Sequence, residues 1–258
     1  MSRRSRSAPA ARTAVRTASV PPLYLFGVWL FAGFTMAMLV AFWPSYFSRL
    51  ADQPSVHHHA HGLAMTAWLG LLIAQASLMR SGSRALHRRL GLLSYLLVPI
   101  IVVVTLRFVH YTVREVPELG DYGLFFLALV VMTLVTFVTL FALAMIYRTQ
   151  PALHARFMVS TLFPLFPPVT DRLFARFTPS VIGWMPRIGG APILQCAGFA
   201  IADTILVGLA IWDWRVNGRR VFLIALAIVV AGQAAILNLH RVEFWQAFGP
   251  WFVGLPLT

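Results

Sequence analysis

Residues 122–147 read YGLFFLALVVMTLVTFVTLFALAMIY, 26 consecutive positions without a charged side chain. A hydrocarbon core of about 30 Å is crossed by about 20 apolar residues in a helix. The stretch is therefore long enough to span a bilayer, and its continuous apolarity lacks the polar face of a soluble amphipathic helix. Six further runs of comparable character flank it, giving seven in all: Tyr24–Phe47, His61–Leu78, Gly91–His110, Tyr122–Tyr147, Phe157–Phe174, Pro192–Trp212 and Val221–His240. The separators are short and carry the Pro, Gly, Ser and charged residues that break helices. The pattern predicts an all-α fold, a polytopic membrane bundle of seven transmembrane helices over residues 21–240.

Composition agrees with a chain whose solvent is largely lipid. Of 258 residues 59% are hydrophobic and 11% charged, with a mean hydropathy of +0.76, whereas a soluble domain carries about 25% charged residues. The 21 basic residues are all arginine and the acidic residues number 8. Absence of lysine excludes lysine Schiff-base chemistry, and with it a retinal protein of the same helix count. The net charge of +13 does not indicate nucleic-acid binding, because the arginines cluster between apolar runs and form no basic face. A single cysteine, Cys196, allows neither an intrachain disulfide nor a thiolate cage.

Alternate separators divide the arginines unequally. Arg3, Arg4, Arg6, Arg12 and Arg16, then Arg80, Arg84, Arg88 and Arg89, then Arg148 and Arg156, then Arg215, Arg219 and Arg220 make 14 on one side; Arg49, Arg114, Arg176, Arg187 and Arg241 make five on the other. The positive-inside rule predicts a cytoplasmic N-terminus and a periplasmic C-terminus, in a bacterial inner membrane. Residues 1–20 read as a disordered basic cytoplasmic tail in preference to a transit peptide. Residues 241–258 are too short and interrupted to span and read as an interfacial segment on the outer surface. Most tryptophans stand near the ends of spans, where interfacial anchors belong.

Histidine runs opposite to arginine. His57, His58, His59 and His61 open the second span, and His110 and His240 close the third and seventh on the same outer side. A helix starting one turn early would put His57 and His61 at i, i+4 and His58 and His61 at i, i+3, on one face, with His59 pointing elsewhere. Neutral imidazole ligates metals and haem iron, and it also serves as a plain polar cap at the headgroups. The remaining two histidines belong to an internal echo: Ala85-Leu86-His87-Arg88-Arg89 and Ala152-Leu153-His154-Ala155-Arg156 share Ala-Leu-His-x-Arg and open two parallel spans. This places His87 and His154 at equal depth near the cytoplasmic face, fit to clamp a haem or to meet a quinone or an anionic headgroup, or simply to mark the interface.

Ionisable residues within the spans are costly and invite a role. Asp203 lies mid-span in the sixth; Asp171 and Arg172 lie in the outer third of the fifth and Arg107 in that of the third. They can serve as paired struts or as orienting and proton-carrying groups. Gln75, Gln195, Thr204, Gln233 and Asn238 are expected to bond between helices, and Pro164, Pro167 and Pro168 to kink the fifth span.

His59-Ala60-His61-Gly62 with Trp68, Leu71-Leu72 and Gln75, then Leu86-His87-Arg88-Arg89-Leu90-Gly91, then His154-x-Arg156-Phe157-Met158 resemble the signature of an uncharacterised family of bacterial seven-helix integral membrane proteins. That family is distantly similar to cytochrome b-type and oxidase-assembly bundles. The resemblance covers residues 40–220. The family's Gly-Arg-x-His after the sixth span is replaced here by Gly218-Arg219-Arg220-Val221, without the histidine. Three functions stay open. The first is a redox protein binding haem b, or a copper, iron or zinc ion, through His59 and His61 outside and His87 and His154 inside, with electron transfer across the membrane. The second is a non-redox assembly or transport protein for a metal, lipid or quinone, gated by Asp203 with Arg107 or Arg172. The third is a structural subunit of a larger membrane or redox complex.

Overall fold

The computed structural model describes residues 22–52, 55–116 and 119–258. The basic tail over residues 1–20, with Arg3, Arg4, Arg6, Arg12 and Arg16, lies outside the described residues. The chain is all-α apart from one two-residue hairpin: α1 (Pro22–Phe42), α2 (Val56–Arg80), α3 (Arg84–Gly91), α4 (Leu93–Arg114), α5 (Asp121–Ile146), α6 (Pro151–Ser160), α7 (Phe166–Phe177), β1 (Arg187–Ile188), β2 (Ala191–Pro192), α8 (Gln195–Asn217), α9 (Val221–Asn238) and α10 (Glu243–Val253). Five helices among the described residues are long and apolar enough to cross a membrane: α2, the joined α3 and α4, α5, α8 and α9.

The helices close into a ring. Helix α1 packs on α2, α2 on α4, α4 on α5, α5 on α9, α9 on α8, α8 on α7, and α7 returns to α1, while α6 lies against α5 and α9. Helix α5 is the most enclosed leg, with 56% of its most apolar window buried against 28% for α2 and α8. Its uniform apolarity, read from the sequence as a span, is thus also that of a core helix. Trp68, Phe137, Leu140, Leu162, Phe163 and Phe222 fill the centre. Trp29, Met36, Leu96, Val103, Leu223 and Ile224 stay exposed on the perimeter. A belt of this kind is unstable in water and is solvated by lipid.

Two glycines set the closest crossings. A Cβ on Gly198 of α8 would lie 2.8 Å from Pro167 Cα of α7, and one on Gly232 of α9 would lie 2.3 Å from Thr136 Oγ1 of α5. Small residues at such points let helix backbones approach and gain dispersion contact where lipid offers no hydrophobic drive.

Several boundaries differ from the sequence reading: the first run ends at Phe42 and not Phe47, the sixth covers Gln195–Asn217 and not Pro192–Trp212, and three further runs change as follows. Helix α2 starts at Val56, capped by Ser55, whose Oγ accepts from His57 N at 3.1 Å. All four clustered histidines are therefore helical; the apolar-run criterion started too late because histidine is polar. The third run starts earlier, at Arg84, with Leu92 the one residue between α3 and α4. The fifth run is broken at its prolines into α6, a 3-10 turn at Phe163–Leu165 and α7. Hydroxyls meet carbonyls around the break: Ser160 Oγ donates to Arg156 O (2.8 Å), Thr161 Oγ1 to Met158 O (2.7 Å) and Thr170 Oγ1 to Phe166 O (2.9 Å).

Candidate functional site

The six histidines at the end where α2 begins and α4 and α9 finish do not form one set. His57, His58 and His61 turn toward α4. The His57 ring lies 5.4 Å from that of Tyr111, His58 meets Phe108 edge-on at 5.2 Å, and His61 stacks on Phe108 at 4.7 Å with its Nδ1 3.1 Å from Thr105 Oγ1. His59, two residues before His61 and so on the far side of the helix, instead has Nδ1 3.4 Å from the Tyr46 hydroxyl. Burial pushes the Tyr46 hydroxyl above its ordinary pKa. Gly62 makes this approach possible, since a Cβ there would stand 2.7 Å from the Tyr46 ring. His59 and His61 therefore do not face a common point.

His110 is fully buried under the C-terminal segment. Its Nδ1 is 2.6 Å from Thr258 Oγ1 and its ring meets Phe252 edge-on, while Nε2 has no partner among the described residues. His240 receives the Arg241 Nε hydrogen at Nε2 (3.3 Å), and its Nδ1 has no partner among the described residues. Helix α10, expected as an interfacial segment, buries Trp245 and Phe252 against α4 and α5 and exposes Phe244 and Trp251. Trp245 Nε1 donates to Leu124 O at 3.0 Å. Among the described residues no three His, Cys, Asp or Glu side chains gather as a metal site.

The arginine-rich end is different. His87 on α3 and His154 on α6 come together with ring centroids 6.3 Å apart and planes at 82°. His154 Nδ1 lies 2.8 Å from Ala144 O, the last-turn carbonyl of α5, so that nitrogen carries the proton and Nε2 is left with its lone pair. His87 Nδ1 is buried with no partner among the described residues, as are both amide atoms of Gln75 and Trp68 Nε1 on α2. Gln75 reaches α3 beside the histidine, since a Cβ on Gly91 would touch its Nε2 at 3.5 Å. Buried polar atoms are nearly always paired, so His87 Nδ1 and the Gln75 amide, unpartnered beside the imidazole pair among the described residues, make this the candidate place for a bound group.

A bidentate ion pair holds α6 below this pair, and sequence reasoning missed it. Arg156 Nε and Nη2 donate to Asp213 Oδ2 (2.7 Å) and Oδ1 (2.5 Å), Asn217 Nδ2 donates to Oδ1 at 2.9 Å, and Arg156 Nη1 takes Ala152 O. Asp213 is 0% exposed and Arg156 6%. The available signal was that Asp213 is the lone acid among 14 arginines assigned to one side, with Asn217 four residues on. Charge counting treated both residues as solvated.

The other charges disperse. Asp203 of α8 accepts from Gln233 Nε2 of α9 at 2.9 Å and bonds to neither Arg107 nor Arg172. Arg107 is exposed. Arg172 pairs with its neighbour Asp171 at 3.1 Å and lies 4.2 Å over the Phe42 ring, and Asp171 also accepts from Gln195 Nε2 at 3.0 Å. Of the five polar residues expected to bond between helices, Gln195 and Gln233 do so. Thr204 and Asn238 bond back to Ala200 O and Ala234 O in their own helices. No family model, curated protein or solved structure matches this chain.

Proposed function

We propose that the protein is an integral membrane redox protein that holds one haem b between His87 and His154. The observation that carries this is the imidazole pair. The ring centroids of His87 and His154 are 6.3 Å apart, close enough that both imidazoles would reach one iron. A bare copper, iron or zinc ion needs further protein ligands, which do not gather at this point among the described residues. A haem would need no further protein ligands beyond His87 and His154, which would hold its iron.

The donor set suits that group. The Ala144 carbonyl fixes the tautomer and rotation of His154, as an outer hydrogen bond does for ligating histidines. The Arg156–Asp213 pair anchors α6 two residues further on. Exposed Arg84, Arg88, Arg89 and Arg148 at the same end supply cations for propionate carboxylates. When bound, the haem supplies one-electron transfer; the chain's share is to hold its iron, set its potential through burial and hydrogen bonding, and keep it at one membrane face. We further infer seven crossings, with α1 and the broken α6–α7 leg joining the five long helices, a cytoplasmic N-terminus and a periplasmic C-terminus in a bacterial inner membrane. Support comes from the 14 to five division of arginines and from the closed ring of legs. The separation of His59 from His61 removes the outer member of the two-site arrangement, so this reading retains one haem. Gln75 Nε2, an unpartnered donor at the same place, favours a bound quinone as the second reading.

Optical spectra of the dithionite-reduced protein, purified from haem-supplied cells, test the assignment. One b-type haem per chain is expected, lost in both His87→Ala and His154→Ala. A wild-type protein without a Soret band or bound iron refutes the haem, and a quinone in the organic extract of that sample selects the second reading.

A further inference from the structure

At the opposite end of the bundle a polar cleft of about 370 Å³ is lined by Asp121, Arg187, Ile188, Gly189, His240, Arg241 and Gln246. Its size falls in the range of about 300–1,000 Å³ typical of small-molecule sites. Three elements build it. The β1–β2 hairpin presses onto the start of α5, where Gly189, at φ +55°, has its backbone so close to Tyr122 that a Cβ would stand 3.1 Å from Tyr122 N. This carries Arg187 alongside Asp121, the first residue of α5, and Arg187 Nη1 is steadied by Gly190 O at 2.8 Å. The turn after α9 brings His240 and Arg241, and Gln246 of α10 donates to His240 O at 3.1 Å.

The charges in this cleft are not spent on each other. Asp121, Arg187 and Arg241 are exposed at its rim, and none of them is in an ion pair among the described residues. His240 forms part of the lining, 4% exposed, with Nδ1 unpartnered. Two guanidiniums and one carboxylate kept apart around a buried imidazole recognise a compact ligand that carries both signs. The adjoining α10 exposes Phe244 and Trp251, aromatic residues that mark headgroup depth.

We propose that this cleft binds a phosphoethanolamine group, with the phosphate received by Arg187 and Arg241 and the primary ammonium by Asp121, and that its source is the headgroup of a bilayer phospholipid. Paired guanidiniums match phosphate oxygens through charge-assisted hydrogen bonds. A primary ammonium, unlike a quaternary one, can donate to the carboxylate. The site lies at the other end of the bundle from the imidazole pair, and its occupation does not depend on the haem assignment.

Native mass spectrometry of the delipidated full chain tests it, with phosphatidylethanolamine, phosphatidylglycerol and phosphatidylcholine of identical acyl chains, and with soluble phosphoethanolamine. The wild type is expected to retain phosphatidylethanolamine about tenfold over phosphatidylcholine, the worth of one charged hydrogen bond. Arg187→Gln with Arg241→Gln lowers that retention by at least as much. The wild type is also expected to prefer phosphatidylethanolamine to phosphatidylglycerol, which has no ammonium, and Asp121→Asn abolishes the preference over both phosphatidylcholine and phosphatidylglycerol. Unchanged thermal midpoints confirm that these exposed substitutions leave the fold intact. Tight binding of soluble phosphoethanolamine with the same variant dependence, without lipid adducts, supports the recognition chemistry and overturns the bilayer as source. Equal retention of the three lipids, or a preference that the variants leave in place, overturns the proposal.

Discussion

Replacing Asp213 with alanine tests the energetics of the arginine-rich end most directly. The carboxylate is fully buried and accepts from Arg156 twice and from Asn217 once. Its removal leaves a guanidinium 6% exposed with one remaining bond, to Ala152 O. Breaking a buried pair by deleting one partner costs about 3–5 kcal/mol, because the surviving charge is desolvated and uncompensated. That is about two to four decades in the folded to unfolded ratio. Asp213→Asn retains a hydrogen-bonding side chain but no charge, and is expected to fall between wild type and alanine. The double variant Arg156→Met with Asp213→Leu removes both charges and is expected near wild type, since apolar replacement of a whole buried pair is often neutral or stabilising. Unfolding in mixed micelles titrated with SDS, followed by tryptophan fluorescence, gives the stabilities of all four proteins. A loss below about 1 kcal/mol for Asp213→Ala, the value of an exposed pair, would refute the reasoning and place the pair in water.

Three further outcomes follow from the geometry. Gly198→Ala sets a methyl group 2.8 Å from the Pro167 backbone and is expected to cost about 1–3 kcal/mol, read as a lowered unfolding midpoint; an unchanged midpoint means that α7 and α8 separate freely. Gln75→Leu removes two buried amide atoms that lack partners among the described residues. In ligand-free protein it is expected to be neutral or to stabilise by up to about 3 kcal/mol; destabilisation in the same unfolding assay would show that the amide is satisfied there. Thr105→Val keeps shape but removes the hydroxyl 3.1 Å from His61 Nδ1, and a loss of about 1 kcal/mol is expected. His61 remains stacked on Phe108, so its side-chain NMR signals should still show the ring-current shift of that contact.

Much of the fold is legible in the chain because the bilayer imposes a one-dimensional rule. Apolar run length finds membrane helices wherever backbone groups must be satisfied within their own segment, and α5 and α9 coincide with runs read from the sequence to within two residues. Errors arose where that rule is silent. Ser55 capping extends α2 across polar histidines, and the prolines of the fifth run replace one straight helix by α6 and α7. The candidate site was partly visible, since the Ala-Leu-His-x-Arg echo singled out the two histidines that the structure brings together. The outer histidines were prominent by number alone, and proximity in sequence did not become convergence in space: helical geometry turns His59 away from His61, and the C-terminal segment takes His110.

By itself the sequence determined the solvent of this protein and the number and order of its apolar runs, because hydropathy and charge act along the chain and need no partner. It also determined that the chemistry at hand is that of imidazole, arginine and carboxylate, with no lysine and one cysteine. Which of those groups meet was decided only by the tertiary structure. Burial of Asp213 with Arg156, the meeting of His87 with His154 across α3 and α6, and the separation of Asp121 from Arg187 and Arg241 around one cleft depend on helix rotation and ring closure. These are set by side-chain packing at crossings such as Gly198 with Pro167 and Gly232 with Thr136, where contact is long-range and no local pattern records it.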